Sequence, residues 1–343
     1  MKTNTDFAKF LSRFLSEYLP HERNMSPNTI LSYRDTFVQF ITYMRDVQKM
    51  RIEKLTLEKL TRQIVLEFLA WIQDKRNCCV STRNYRLAAI HSFVQYLQYE
   101  DIVHLEQWQK ILSVKAMKAE KKSINYLTVD AIKLLLEQPD TTTAKGRRNL
   151  ALLALMYDTG ARVQEIIDLT PGSINIAGTP YTIRLFGKGR KYRIVPLMEE
   201  QVNLLRKYLE ENNLMEEYRL RHPLFFNNRR EKLTRSGVAY VLKTYTEMAR
   251  IINPELIPET VSCHSLRHSK AMHLLQAGVN LVYIRDILGH CSIQTTDIYA
   301  RADSKQKREA LEKSYTDLIP KSDENCQWER NQNLLEWLND FRK

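Results

Sequence analysis

"YTIRLFGKGRKYRIVPL", residues 181–197, alternates apolar and polar side chains on both sides of Gly-Lys-Gly-Arg. A two-residue period around a glycine-bounded turn predicts a β-hairpin. It interrupts a chain whose other periodic segments run at helical spacing, so it decides between an all-helical protein and one with a mixed second half. Working outward, apolar residues recur every three to four positions over 128–137, 146–158, 162–169, 199–213, 234–252, 264–277, 280–288 and 292–299. That spacing predicts helices there. The expected fold class is mainly α with a small β-hairpin or sheet: an all-helical first domain followed by an α+β second domain.

Before residue 120 no alternating pattern occurs. "TDFAKFLSRFLSEYL" sets Phe7, Phe10, Leu11, Phe14, Leu15 and Leu19 on one stripe. "SPNTILSYRDTFVQFITYM" opens with Ser26 as N-cap and Pro27 at the first helical position, a strong start signal. "RQIVLEFLAWIQD" and "STRNYRLAAIHSFVQYLQY", the latter with Ser81 as its expected cap, complete a four- or five-helix domain over residues 1–113. Residues 114–124 are rich in lysine and lack an apolar period, which predicts a basic interdomain linker. Its lysines are either solvated or follow a phosphate backbone. The second domain is expected over 125–320. In the tail, 321–343, Leu334, Leu335, Trp337, Leu338 and Phe341 form a short amphipathic helix that docks on its own chain or on a neighbour.

Composition narrows the functional classes. A hydrophobic fraction of 43% excludes a disordered chain. A net charge of +12 and a pI near 9.3 are the footprint of a phosphate-rich partner. The five cysteines contain no C-x-x-C pair and read as the reduced thiols of a cytoplasmic protein. No apolar run approaches the ~18 residues that would span a membrane, and "MKTNTDFAKF" is not a signal peptide.

Four segments carry residues suited to chemistry. In "DTGARVQEIIDL", Gly160 ends one helix and Arg162 opens the next, where a helix N-terminus favours an anion. Glu165 lies one turn on, either holding that guanidinium for a ligand or simply pairing with it at the surface. In "SCHSLRHSKAMHLLQAG", His264 and Arg267 share one helical face, an imidazole beside a planar fork that matches phosphate oxygens. His264 and His268 are four apart, but no glutamate follows the first histidine and no third ligand is near, so no metal site is expected. His268 and His273 read as packing or solvent-facing residues. Lys188 sits at the hairpin tip, able to reach a site built by other elements or to remain in solvent; the phosphate-loop spacing is absent. In "LGHCSIQTTDIYAR", Gly289 ends a helix, His290 turns away, and Tyr299 follows nine residues later. A phenol is a poor nucleophile unless cations or a base favour its anion.

"TGARVQEIIDL", "GKGRK", "HSLRH" and "LGHCSIQTTDIYAR", in that order, resemble the tyrosine recombinase or phage integrase family, and the likeness covers essentially the whole chain. The resemblance implies a SAM-like core-binding domain and a catalytic domain in the two-domain arrangement of Xer-like, transposon and integrative-element recombinases, without an additional N-terminal arm-binding domain. It implies that Arg162 and Arg267 clamp the scissile phosphate, Glu165 supports the arginine, His264 assists proton transfer and His290 hydrogen-bonds the phosphate. Lys188 would protonate the departing 5′ oxygen, and Tyr299 would attack to give a 3′-phosphotyrosyl bond. One ester replaces another, so no cofactor, metal or ATP is expected. The implied partners are double-stranded DNA recombination sites, a homotetramer on DNA, and accessory bending or directionality factors; the tail helix would pass to a neighbouring protomer. Arg34, Arg83, Arg86 and Arg235 are the DNA-contact candidates. Competing expectations are a type IB topoisomerase, which relaxes DNA without exchanging partners, and a non-catalytic DNA-binding protein on the same fold.

Overall fold

A computed structural model describes residues 5–119, 124–187, 191–290 and 292–302. The chain divides into two compact units, residues 1–122 and 123–343. The tail, 321–343, lies outside the described residues.

The first unit contains α1 (Asp6–Arg13), α2 (Pro27–Asp46), α3 (Arg62–Arg76), α4 (Val80–Glu100) and α5 (Leu105–Leu112). Thr5, Ser26 and Thr61 cap three of these helices, each side-chain oxygen accepting a first-turn N–H. The first helix does not keep one pitch through Leu19. It continues from α1 as a π-helix over Phe14–Glu22, with Pro20 inside. Proline has no N–H to donate to the ladder, and the chain accommodates it in this wider winding. Ser81 is not the cap of α4. Asn77 closes α3 in the left-handed conformation, and α4 starts at Val80 with Cys79 in the cap position, so Ser81 lies inside the first turn.

The apolar stripes meet in an aromatic core. Phe93 is fully buried, its ring 5.1 Å from Phe37, 5.2 Å from Phe14 and 5.9 Å from Phe7. These rings come from α4, α2, α1 and the π-helix, so one side chain ties the unit together. Phe93→Ala is expected to lower its unfolding free energy by about 3–5 kcal/mol. A urea titration followed by circular dichroism reads this directly. A loss below about 1 kcal/mol would mean that the ring does not join the helices.

The second unit contains α6 (Val129–Leu136), α7 (Ala144–Thr159), α8 (Val163–Ile167), α9 (Glu199–Glu211), α10 (Arg235–Ile252), α11 (Cys263–Gln276), α12 (Leu281–Leu288) and α13 (Gln294–Ala302). A three-stranded antiparallel sheet, β1 (Ile174–Asn175), β2 (Thr182–Gly187) and β3 (Lys191–Pro196), follows α8 in the order β1-β2-β3. The β2–β3 register pairs Gly187 with Lys191 and Leu185 with Arg193. Alternation sorts the strands: Ile183, Leu185 and Val195 are buried, whereas Arg184, Phe186, Tyr192 and Ile194 face outward. Helix α7 runs through the core with Leu152, Leu153, Leu155 and Met156 buried, packed against α9 and α11. Ala271, Met272, Leu275, Ile284, Leu288 and Tyr299 form a smaller apolar cluster of their own. Among the described residues, no helix is long and apolar enough to cross a membrane.

Candidate active site

The α7–α8 turn, strand β3, helix α11 and the α12–α13 turn converge on one place. Gly160 reverses the chain after α7 with φ 56°, and a Cβ there would lie 2.7 Å from Leu288 Cδ2. Arg162 follows as the N-cap of α8, one position before the first turn in which the sequence placed it. Its backbone N–H donates to Glu165 Oε2 and its Nη1 to Oε1, each at 2.8 Å. Glu165 is 4% exposed, so this is not a solvated surface pair. Burial alone pushes its carboxyl upward, but bonds from Arg193 and Arg162 outweigh burial and hold it below the ordinary carboxylate range.

Arg193 is a site residue that the sequence reading missed. Its Nη1 and Nη2 donate to the two Glu165 oxygens at 2.9 and 2.6 Å. Three arginines then take three successive carbonyls at the end of α12. Arg193 Nε donates to Ile287 at 2.8 Å, Arg267 Nη2 to Leu288 at 2.6 Å and Arg162 Nη2 to Gly289 at 3.3 Å. A helix C-terminus presents unpaired carbonyls and the negative end of its dipole, so it suits this ring of cations. Arg267 also donates to the Gly160 carbonyl at 2.7 Å. Burial, then Arg162 and Arg193, push its pKa down to about 10, which leaves it charged at neutral pH. The ring carries more positive charge than Glu165 offsets, an arrangement complementary to an anion.

Tyr299, on α13, is 1% exposed, and its hydroxyl lies 2.9 Å from His268 Nδ1. Burial raises the phenol pKa, while Arg267 and Arg162 pull it back without cancelling the rise. His268 is therefore neither mere packing nor solvent-facing. Its ring touches the candidate nucleophile, and His264, 6.3 Å from His268 between centroids, is exposed at the rim. Burial and neighbouring positive charge lower the pKa of both imidazoles. His273 instead meets the Tyr157 hydroxyl at 2.8 Å, a packing role.

Gly289 (φ 64°) sends His290 out of α12, its Nδ1 2.9 Å from Thr296 Oγ1 and its ring stacked 6.4 Å from Tyr299. Burial first, then Arg267, Arg162 and Arg193, push the His290 pKa down to about 4. The unfolded chain thus takes up a proton near pH ~6.5 that the folded site refuses until about pH 4. The stability this contributes is present above pH ~6.5 and lost as the pH falls through about 4. His290→Asn is expected to flatten the stability loss between pH 7 and 4 by on the order of 1 kcal/mol, allowing for partial solvent exposure. Thermal unfolding across a pH series measures it; an unchanged slope would contradict the assignment.

Arg162, Glu165, His264, Arg267, His290 and Tyr299 all belong to this neighbourhood or its rim. Lys188 lies outside the described residues, although Gly187 and Lys191 bring both strand ends to a cavity of about 380 Å³ that Arg193 and His290 also line. The DNA-contact candidates separate. Arg34 is exposed beside Asp35, and Arg235 is exposed and donates to Gln164 at 2.7 Å. Arg83 is 7% exposed, and Arg86 spends Nη1 on the Ser32 carbonyl and Thr36 hydroxyl of α2. Among the described residues, no three His, Cys, Asp or Glu side chains gather to hold a metal ion.

Comparison with known proteins places the chain in a family. The sequence profile described as the phage integrase family matches residues 125–306, and that of the phage integrase N-terminal SAM-like domain matches residues 11–101. The chain is 34% identical over 339 residues to a putative integrase/recombinase, y4rC, of Sinorhizobium fredii, covering 99% of each. It is 32% identical to tyrosine recombinase XerD of Oceanobacillus iheyensis, covering 87% of this chain and 95% of that one. Among solved structures, the XerH site-specific recombinase bound to its difH substrate superposes with a TM-score of 0.63 at 23% identity, over 87% of this chain and 83% of that one. The Tn1549 transposon integrase with a circular intermediate DNA gives 0.66 at 16%, over 91% and 100%.

Proposed function

The chain belongs to the phage integrase family of tyrosine recombinases, enzymes that cut and rejoin DNA at specific sites, and on that premise we propose that Tyr299 is the nucleophile and the arginine ring is the phosphate clamp. The observation that carries this reading is the phenol hydroxyl 2.9 Å from an imidazole nitrogen, at the edge of a buried cationic cluster. Arg162 and Arg267 hold the non-bridging oxygens of the scissile phosphate, and His290 bonds to the same group. Tyr299 Oη forms a bond to phosphorus while the bond from phosphorus to the 5′ oxygen breaks. The phenolic proton passes to His268 Nδ1, the nitrogen it already faces, and Lys188 supplies the proton that the 5′ oxygen takes up. His264 acts from the rim.

Preorganised cations stabilise the charge of the transition state, and the exchange is between esters of similar energy, so neither metal nor ATP enters the step. Arg34 and Arg235 contact flanking phosphates, whereas Arg86 acts by fixing α4 to α2 and the buried Arg83 by packing within the first unit. Strand exchange proceeds in a homotetramer on paired DNA sites in the cytoplasm, with the tail passed between protomers and accessory factors setting direction.

The test is a duplex nicked beside the cleavage point, incubated with wild-type protein in EDTA without ATP. A covalent protein–DNA adduct is the expected result. DNA binding without an adduct would favour a non-catalytic clamp, and an adduct formed only with added metal would overturn the metal-free step. Relaxation of supercoils without exchange between two sites would favour a topoisomerase.

A further inference from the structure

The geometry points to Arg193 as the positioning residue that keeps the phosphate clamp cationic and joins it to the hairpin. This rests on the proposed function and names a residue for that same site. Its guanidinium uses all three nitrogens, two on Glu165 and one on the Ile287 carbonyl. The side chain is 10% exposed, so these bonds lie largely away from solvent. Nothing places Arg193 on the phosphate itself; it acts through its neighbours.

Two consequences follow from the bonding. Glu165 offers one negative charge, and Arg162 and Arg193 share it. Without Arg193 that carboxylate would neutralise Arg162 alone and draw its guanidinium inward, away from an incoming anion. Next, Arg193 lies on β3 two residues beyond Lys191, where the strand re-enters from the hairpin tip. Strand β3 is therefore joined to Glu165 and to the α12 carbonyl row through this one side chain. Gly289 is part of the same fit: a Cβ there would meet Arg193 Cδ at 2.9 Å.

The experiment compares Arg193→Gln with wild type on two nicked duplexes of the sequence that wild type cleaves. One carries an ordinary scissile phosphodiester; in the other a methylphosphonate replaces it. The methyl group removes the negative charge that the clamp neutralises, so a defect in the clamp matters less on this substrate. Arg193→Gln is expected to form adduct about 10–100-fold more slowly on the phosphodiester, the usual scale for a supporting residue. On the methylphosphonate the deficit is expected to shrink to about threefold or less. DNA affinity is expected to stay within about twofold in a mobility-shift titration. Equal deficits on both substrates, or a full rate on the phosphodiester, would overturn the role. Should Arg193→Gln fail to fold, Arg193→Lys keeps a cation on Glu165 and is expected to show a smaller deficit, about tenfold or less on the phosphodiester and about none on the methylphosphonate; equal deficits on both substrates would again overturn the role. A wild type that forms no adduct on either duplex would overturn the proposed function, and this assignment with it.

Discussion

Tyr299→Phe is expected to bind the DNA site as tightly as wild type and to form no covalent adduct. The loss in strand cleavage should be on the order of 10⁴-fold or more, because the bond-forming oxygen itself is gone. The variant tests chemistry rather than folding. The phenyl ring keeps its place among Ala271, Met272, Leu275, Ile284 and Leu288, and only the contact to His268 Nδ1 is lost. That costs about 1 kcal/mol. Denaturing gels of the nicked-duplex reaction measure the adduct, and a mobility shift measures binding. An adduct that survived the substitution would identify a different nucleophile and remove the basis of the mechanism.

Arg267→Ala should slow cleavage by about 10²–10³-fold, the scale of one preorganised donor. It should also destabilise the second unit by about 2–4 kcal/mol, because two carbonyls, Gly160 and Leu288, lose their donor inside the protein. Arg267→Lys should restore little, since an ammonium cannot span both carbonyls and a phosphate. Arg162→Ala provides the contrast. Its side chain is 29% exposed, so it should lose a comparable rate with much less stability. Paired measurements of adduct formation and thermal unfolding separate the two. Equal stability losses would contradict the different burial of these arginines.

Much of the second unit was legible because local signals and tertiary packing agree there. Gly160 and Gly289 each end a helix in the left-handed conformation, where a side chain is strained, and each delivers a candidate residue at a fixed offset. The hairpin was legible from its period of two. What escaped depended on contacts far apart in the chain. Arg193 carried a weak signal, an arginine at an inward position of an alternating strand, but its partners Glu165 and Ile287 are 28 and 94 residues away. His268 was weighed as the second histidine of a metal pair and read as packing or solvent-facing; its partner Tyr299 comes from a separate helix. In the first unit, the change to a π-helix and the cap of α4 at Cys79 rather than Ser81 reflect how neighbouring segments join. Cap preferences alone do not capture that.

The separate apolar cluster around Tyr299 has a bearing on how the enzyme turns over. Most of the second unit's hydrophobic residues belong to another cluster, so lifting α13 would breach a small satellite and leave the main body intact. A nucleophile of the kind proposed for Tyr299, mounted in this way, can be stowed and presented repeatedly at the cost of a local opening. Amide exchange along α13 should accordingly outpace exchange along α7 at every pH where the protein is folded.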